Sequence, residues 1–191
     1  MLQELFDRHK TDKGSVHSYA ATYEMLWNEK RHDTSSILEI GIWRGGSLRA
    51  WLEYFPNAEV FGIDSSPGAV EAASHIEGVT PILCDVKNAE RLAALLGKRK
   101  FDVVIDDASH KREDVIAAIE FFMPRLMPGG MLVIEDVQSI EFAAELQEKY
   151  GGTVADLRGQ KGRYDDIIFY CEVPTLKIAK SAKPKKAKAK S

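Results

Sequence analysis

Residues 37–47 read ILEIGIWRGGS and decide the fold prediction. The run 37–41 is too apolar for a strand with one solvated face, so it predicts a buried parallel strand. The run ends at Gly41, a loop with Gly45 and Gly46 follows, and from Ser47 to Tyr54 the apolar residues recur at helical spacing. The stretch therefore predicts a strand, a glycine loop and a helix, which is the repeating unit of an α/β sheet.

Strands and helices alternate outward from this unit. We predict further strands at 59–63, 79–84, 101–105 and 131–134, further helices at 67–76, 89–96 and 112–126, and a turn at Pro128-Gly129-Gly130. Five such units predict a doubly wound parallel sheet. After a helix at 140–150, short strands at 154–157 and 167–173, joined by a tight polar turn, predict an antiparallel edge hairpin. Residues 2–9 and 19–30 predict an N-terminal helical lid on the sheet.

The chain has 191 residues, of which 45% are hydrophobic, and this fits one domain with one substantial core. We place that domain at residues 1–174, with the lid in residues 1–34. Residues 175–191 consist mainly of Lys, Ala and Ser, a composition that predicts disorder. Cys84 and Cys171 lie in apolar runs without metal-type spacing, so we expect buried, reduced thiols.

The charge is distributed unevenly. The net charge is -3, but the last fifteen residues hold seven lysines and no acid, which leaves 19 basic against 29 acidic residues in the body. An acidic body disfavours broad nucleic-acid binding, although the tail keeps nucleic acid open as a partner. The first residues carry charge from position 4, and no window approaches a membrane span. We therefore expect a cytoplasmic protein with no membrane partner.

Acidic residues follow the predicted second and third strands. Asp64 comes about 20 residues after the glycine loop, the position from which a carboxylate accepts hydrogen bonds from ribose hydroxyls, or it caps the next helix. Asp85 could meet an adenine amino group or cap the helix that begins near Asn88. Ser47 could cap the helix after the glycine loop, and the glycines would let the backbone approach a ligand.

Two acidic pairs follow the fourth and fifth strands, Asp106-Asp107 and Glu135-Asp136. Neighbouring strand ends lie about 5 Å apart, so these carboxylates would repel each other unless a cation offsets their charge. A hard divalent ion, typically Mg²⁺, resolves the conflict. The alternative is that some of these acids are solvated or capping residues.

His110 lies three residues after Asp107, where a turn can bring it over the same site. An imidazole suits the removal of a proton from a hydroxyl. The other histidines have no comparable neighbours. Alternatively, His110 is an ordinary polar surface residue.

The strings TDKGSVHSYAATYE, LEIGIWRGGSLRAWLEYFPNAEVFGID, DVVIDDASH and MPGGMLVIED together resemble the metal-dependent sugar O-methyltransferases of antibiotic biosynthesis and the cephalosporin-hydroxylase-type methyltransferases, over residues 8–137. The resemblance implies a Rossmann-like fold that uses S-adenosylmethionine and Mg²⁺. It implies Mg²⁺ ligands at Asp107, Glu135 and Asp136, and His110 as the base. The implied cofactor contacts are Thr11, Lys13, Glu39, Gly41, Gly45, Ser47, Asp64, Asp85 and Asp106.

The resemblance implies methyl transfer to a hydroxyl of a small molecule, such as a sugar or another natural product. Three alternatives stay open: a catechol-like diol as acceptor, a nucleic-acid methyltransferase that uses the Lys-rich tail, and a cofactor-binding protein without turnover. After Asp136 the chain passes directly into a helix without the family's aromatic loops, so the acceptor pocket is not inherited. An oligomer is compatible with the sequence.

Overall fold

The computed structural model describes residues 1–174, which contain one seven-stranded sheet flanked by helices. In chain order, strands β1 to β7 are Ser36–Ile40, Glu59–Asp64, Val79–Leu83, Phe101–Asp106, Leu126–Ile134, Thr153–Asp156 and Ile167–Glu172. In these residues, helices α1 to α9 are Leu2–His9, Asp12–Ser15, Tyr19–Trp27, Gly46–Tyr54, Pro67–Ser74, Ala89–Leu96, Arg112–Phe122, Ile140–Tyr150 and Arg158–Lys161.

The sheet has the strand order β3-β2-β1-β4-β5-β7-β6. Strands β1 to β5 are parallel, and β7 is antiparallel to both β5 and β6. The predicted doubly wound sheet with an antiparallel edge is confirmed. The connection between β6 and β7 is not the tight turn that was predicted, because it contains the short helix α9.

The predicted turn at Pro128-Gly129-Gly130 is wrong, because these residues lie inside β5. The Gly129 amide donates to the Val173 carbonyl (2.8 Å), and the Val173 amide donates to the Gly130 carbonyl (2.9 Å). The pairing of β4 with β5 shifts register beside this segment, as expected where glycine interrupts a strand. Upstream, helix α7 ends at Phe122 rather than at 126, and Pro124 lies in a short 3₁₀ turn that follows it.

The core lies on both faces of the sheet. Helices α6, α7 and α8 cover one face, and α1, α3, α4 and α5 cover the other. The predicted N-terminal helices are confirmed, and they pack on one face of the sheet as part of its core. Phe6 packs edge-on against Trp51 at 5.3 Å between ring centroids, and Tyr23 stacks on Trp27 at 4.6 Å. Tyr23 also packs edge-on against Trp51 at 5.6 Å, so α1 and α3 are both held against α4.

Within residues 1–174, no helix is long and apolar enough to cross a membrane. Cys84 and Cys171 are buried free thiols, as predicted. Burial raises the pKa of the Cys171 thiol to about 11. The predicted disordered tail, residues 175–191, lies outside the described residues.

Candidate active site

A cavity of about 800 Å³, here called the first cavity, opens at the carboxyl ends of the parallel strands. This is the edge at which doubly wound sheets bind ligands. Six of the residues predicted as site residues line it: Gly41, Asp64, Asp85, Asp107, His110 and Asp136. These predicted residues come from five separate strand ends.

The glycine loop, residues 41–47, lines the first cavity and also contacts the backbone of the loop after β4, which carries Asp107. Gly41 has φ +96°, and a Cβ there would lie 2.0 Å from the Asp107 carbonyl oxygen. The Asp107 amide also donates to the Ile40 carbonyl (2.8 Å). Gly41 is required because the loop that carries Asp107 crosses directly over it.

Ser47 does not cap the helix after the glycine loop, since α4 begins one residue earlier and its N-cap is Gly45 in the left-handed region. The Ser47 hydroxyl instead donates to the Glu39 carboxylate (2.5 Å). Glu39 is completely buried, and burial raises the pKa of its carboxyl. Glu39 thus lies beneath the glycine loop.

Asp64 and Asp85 are not helix caps. The N-caps of the two following helices are Ser66 and Asn88. The Ser66 side chain accepts a hydrogen bond from the Ala69 amide, and the Asn88 side chain accepts one from the Arg91 amide. The Asp64 carboxylate accepts from the backbone amides of Ile42 and Ser66, each at 2.8 Å. This leaves Asp64 on the cavity wall, tied to the glycine loop and free to accept further hydrogen bonds from a ligand.

Lys13 is buried, with 1% of its surface exposed, and its ammonium contacts three carboxylates. Its Nζ lies 2.5 Å from Asp107 Oδ2, 2.6 Å from Glu135 Oε2 and 3.2 Å from Glu39 Oε1. Burial alone would lower the pKa of Lys13, but these carboxylates raise it well above its usual value. The ammonium therefore stays charged. The Lys13 ammonium points at the three acids, and its predicted role as a cofactor contact stays a prediction.

Thr11 caps the helix that carries Lys13, since its Oγ1 accepts from the Lys13 amide (3.5 Å). It also lines a smaller cavity of about 250 Å³, together with Gly41, Ser47 and Asp107. Thr11 therefore lies beside the glycine loop but is not among the residues that line the first cavity.

Two tyrosines of α3 bind the second acidic pair. The Tyr23 hydroxyl donates to Glu135, and the Tyr19 hydroxyl donates to Asp136. Burial raises the pKa of both tyrosines, so both remain protonated donors. Sequence reasoning missed them, although their spacing of four residues places both hydroxyls on one helix face.

His17 is a second histidine at the site, and sequence reasoning missed it too. Its Nδ1 lies 3.2 Å from Asp136 Oδ1 and 3.3 Å from Asp166 Oδ1. Asp166 precedes β7, so its proximity could not be seen in the local sequence. Asp136 consequently has histidines on two sides.

His110 lies where the turn after β4 was predicted to bring it. Its Nε2 is 3.5 Å from Asp136 Oδ2, and 28% of its side chain is exposed. Both residues have left-handed backbones, with φ 57° for His110 and 51° for Asp136. Such a conformation costs about 1–3 kcal/mol for each non-glycine residue. The surrounding packing holds both residues in a strained arrangement that directs them at each other.

Asp106 is buried, and the first cavity is lined by its neighbours Asp107 and Ala108 instead. Burial, and next the Asp107 charge, raise the pKa of the Asp106 carboxyl to about 7. Its role as a cofactor contact stays a prediction.

Acidic side chains and His110 form two overlapping groups that could hold a cation. One group is Asp107, His110 and Asp136, and the other is Glu39, Asp107 and Glu135. In each group the donor atoms lie within 4.8 Å of one another. Asp107 belongs to both. Carboxylate oxygens are the donors that Mg²⁺ prefers, so the donor set fits the predicted ion. In the second group, however, Lys13 already supplies a positive charge.

A second cavity of about 760 Å³ adjoins the first. The two share Asp12, Ser109, His110 and Asp136. The remaining wall of the second cavity includes Val16, Gln138, Phe142, Arg163 and Tyr164. Sequence reasoning missed this wall, because it combines the segment before α3, the chain after β5 and the connection between β6 and β7.

A family model described as a methyltransferase domain matches residues 38–137, just over half of the chain. The chain belongs to this methyltransferase-domain family. The matched range runs from β1 to the residue after Asp136, so it contains the glycine loop and both acidic pairs. The predicted methyltransferase fold is therefore confirmed.

Relatives of this methyltransferase domain include proteins named as O-methyltransferases. The 8-demethyl-8-alpha-L-rhamnosyl tetracenomycin-C 2'-O-methyltransferase of Streptomyces olivaceus is 32% identical over 175 residues, 88% of this chain and 46% of the relative. The demethylmacrocin O-methyltransferase of Streptomyces fradiae is 36% identical over 147 residues, 71% of this chain and 36% of the relative. The predicted resemblance is confirmed. The chain spans less than half the length of these curated relatives.

Solved structures of the MycE methyltransferase of mycinamycin biosynthesis are also similar. One, in complex with Mg and SAH, superposes with a TM-score of 0.70 at 26% identity, over 91% of this chain and 53% of that one. Another, which also contains mycinamycin VI, has a TM-score of 0.63 at 34% identity, over 71% of this chain and 36% of that one.

Proposed function

We propose that this domain is an S-adenosylmethionine-dependent, Mg²⁺-dependent O-methyltransferase that acts on a hydroxyl of a small molecule, a sugar or another natural product. The observation that carries the proposal is the meeting of the two cavities at His110 and Asp136. A cofactor in the first cavity and an acceptor in the second would face each other beside the imidazole. Holding two reactants in this way supplies a large part of the rate enhancement.

The first cavity suits a nucleoside cofactor. Asp64 lies on its wall with a carboxylate already oriented by the glycine loop, as expected for a ribose contact. Asp85 lines the same cavity and would reach the adenine amino group. The similar MycE structures contain SAH, which supports the same class of cofactor here.

Asp107, Glu135 and Asp136 would hold the Mg²⁺. Their carboxylates are oxygen donors gathered at one strand edge, with Asp107 close to each of the other two. A bound divalent ion at this position would lower the pKa of an acceptor hydroxyl. The tyrosines of α3 orient the two acids from behind, because each hydroxyl donates to one of them.

His110 accepts the proton of the acceptor hydroxyl in this proposal. Its imidazole lies at the junction of the cavities, and the Asp136 carboxylate 3.5 Å from Nε2 stabilises the imidazolium that forms. The deprotonated acceptor oxygen would then form a bond to the cofactor's methyl carbon as the carbon–sulfur bond breaks, which would release S-adenosylhomocysteine. The residues that handle the acceptor proton thus follow β4 and β5, whereas those proposed to hold the nucleoside follow β2 and β3.

The second cavity suits a hydroxylated acceptor. Its wall combines the rings of Phe142 and Tyr164 with the polar side chains of Gln138 and Arg163. Tyr164 is 64% exposed and donates to Gln138 Oε1 (3.1 Å). Aromatic faces with a few polar groups are typical of small-molecule sites. The names of the relatives support a sugar hydroxyl as the acceptor.

The proposal is tested by incubating the chain with methyl-labelled S-adenosylmethionine and a panel of glycosylated natural products, free sugars, catechols and short RNA and DNA. We expect label in the glycoside or sugar group with Mg²⁺ and almost none with EDTA. Label in catechols alone or in nucleic acid would overturn the sugar class. Transfer that is equal with EDTA would overturn the role of the metal.

A further inference from the structure

Lys13 reaches the centre of the site from a segment distant in sequence. Its ammonium contacts acids that belong to three strands: Glu39 in β1, Asp107 after β4 and Glu135 after β5. The contacts to Asp107 and Glu135 span 94 and 122 residues of sequence. Among the described residues, Lys13 is therefore the basic side chain that all three of these acids contact.

The helix that carries Lys13 is fixed in place. The Lys161 ammonium of α9 donates to the carbonyls of Gly14, Ser15 and His17, directly after Lys13. Thr11 caps the other end of the same short helix. Lys13 is thus held at the site by its backbone, and its flexible side chain is the part that can move.

The cluster brings three acidic side chains to one basic side chain. One ammonium faces three carboxylates, two of which, Glu39 and Glu135, are at most 2% exposed. Glu39 Oε1 is buried and has no hydrogen bond among the described residues, although Lys13 Nζ lies 3.2 Å away. Buried like charges destabilise a protein unless a cation offsets them. The acids therefore need Lys13 whenever no other cation is present.

We propose that Lys13 is a positioning residue that acts as the internal cation of the metal site: it neutralises Asp107 and Glu135 in the absence of a divalent ion and competes with that ion for them. This inference rests on the proposed function, because it concerns the same acids. Glu39, which is not among the proposed metal ligands, keeps the ammonium when the ion binds. Lys13 thereby limits the affinity for the ion and keeps the empty site folded.

The test is Mn²⁺ binding to the full chain, followed by the loss of the electron paramagnetic resonance signal of free Mn²⁺. We expect Lys13→Gln to bind Mn²⁺ about 5- to 150-fold more tightly than the wild type, if the competition of the ammonium with the ion is as strong as typical coupling between two binding sites. Lys13→Arg keeps the charge and should not gain affinity. Lys30→Gln removes the same charge from an exposed pair with Glu172 and should bind as the wild type does.

The outcomes separate this inference from the proposed function. Equal or weaker binding by Lys13→Gln, with normal binding by the wild type, overturns the role of Lys13 and leaves the methyltransferase proposal intact. Binding by Lys13→Gln alone supports the role of Lys13 and contradicts metal dependence. If neither binds, both fail. If Lys13→Gln is unfolded without metal, saturating Mn²⁺ should restore its circular dichroism, and failure to do so overturns the inference.

Discussion

His110 Nε2 lies 3.5 Å from Asp136 Oδ2, and both residues have left-handed backbone conformations. They follow neighbouring strands, β4 and β5, and each lines both cavities. Strain of this kind persists only where the surrounding structure imposes it, and it clusters at functional sites. The pair therefore marks the position at which the two cavities, and in our proposal the two reactants, meet.

Replacing His110 with Ala should lower the rate of methyl transfer by about 10²–10⁴-fold, the usual contribution of a positioned base. Cofactor affinity should change less than about twofold, because the imidazole acts on the acceptor. The rate is measured with labelled cofactor and the affinity by calorimetry with S-adenosylhomocysteine. His75→Ala, at an exposed pair with Glu71, is the control. Full activity in His110→Ala would remove His110 from the mechanism.

Replacing Gly41 with Ala should destabilise the fold by about 2 kcal/mol or more, because the new Cβ would lie 2.0 Å from the Asp107 carbonyl and φ is +96°. Gly162→Ala is the matched control. Its φ is +73° with no atom within 4 Å of the Cβ position, so only backbone strain of about 1 kcal/mol is expected. Urea unfolding measures both. Equal costs would refute the close approach of the two loops.

Replacing Tyr23 with Phe should cost about 1.5–3 kcal/mol of unfolding free energy, the usual value of a hydrogen bond to a charged group. The change removes the hydroxyl that donates to buried Glu135. Tyr150→Phe removes an exposed bond to Glu120 and should cost less than about 0.5 kcal/mol. Chemical unfolding at fixed pH compares the two, and similar losses would contradict the buried contact.

The thiols should resist modification in the native protein. Burial raises the pKa of Cys171 to about 11, so at pH 8 only about one thiol in a thousand is the reactive thiolate. Cys84 is buried as well. Ellman's reagent should react slowly with the native chain and rapidly with both thiols in urea. Rapid reaction of Cys171 in the native state would contradict its burial.

Much of the sheet could be predicted, because β1 to β4 are short apolar runs that end at glycines or acids. Strand β5 was only half predicted, since Pro128-Gly129-Gly130 has the composition of a turn. Its place in the strand depends on hydrogen bonds to Val173, which lies more than 40 residues away in sequence. The start of that strand could not be found from local preference alone.

The site residues that directly follow strands could be predicted from the sequence. Asp64, Asp107 and Asp136 meet because parallel strands present their carboxyl ends at one edge. The contacts of Lys13 with the acids and of Tyr23 with Glu135 could not be predicted, because they depend on how the N-terminal helices pack on the finished sheet. The charge balance of the acids is therefore a property of the tertiary structure.

The most direct test of the central claim is a calorimetric titration of the chain with S-adenosylhomocysteine. We predict saturable binding that Asp64→Asn weakens about tenfold or more, through loss of a charged hydrogen bond to ribose. Asp156→Asn, at an exposed pair with Arg158, should leave binding unchanged. Absence of binding, or equal binding by Asp64→Asn and the wild type, would contradict a nucleoside cofactor in the first cavity.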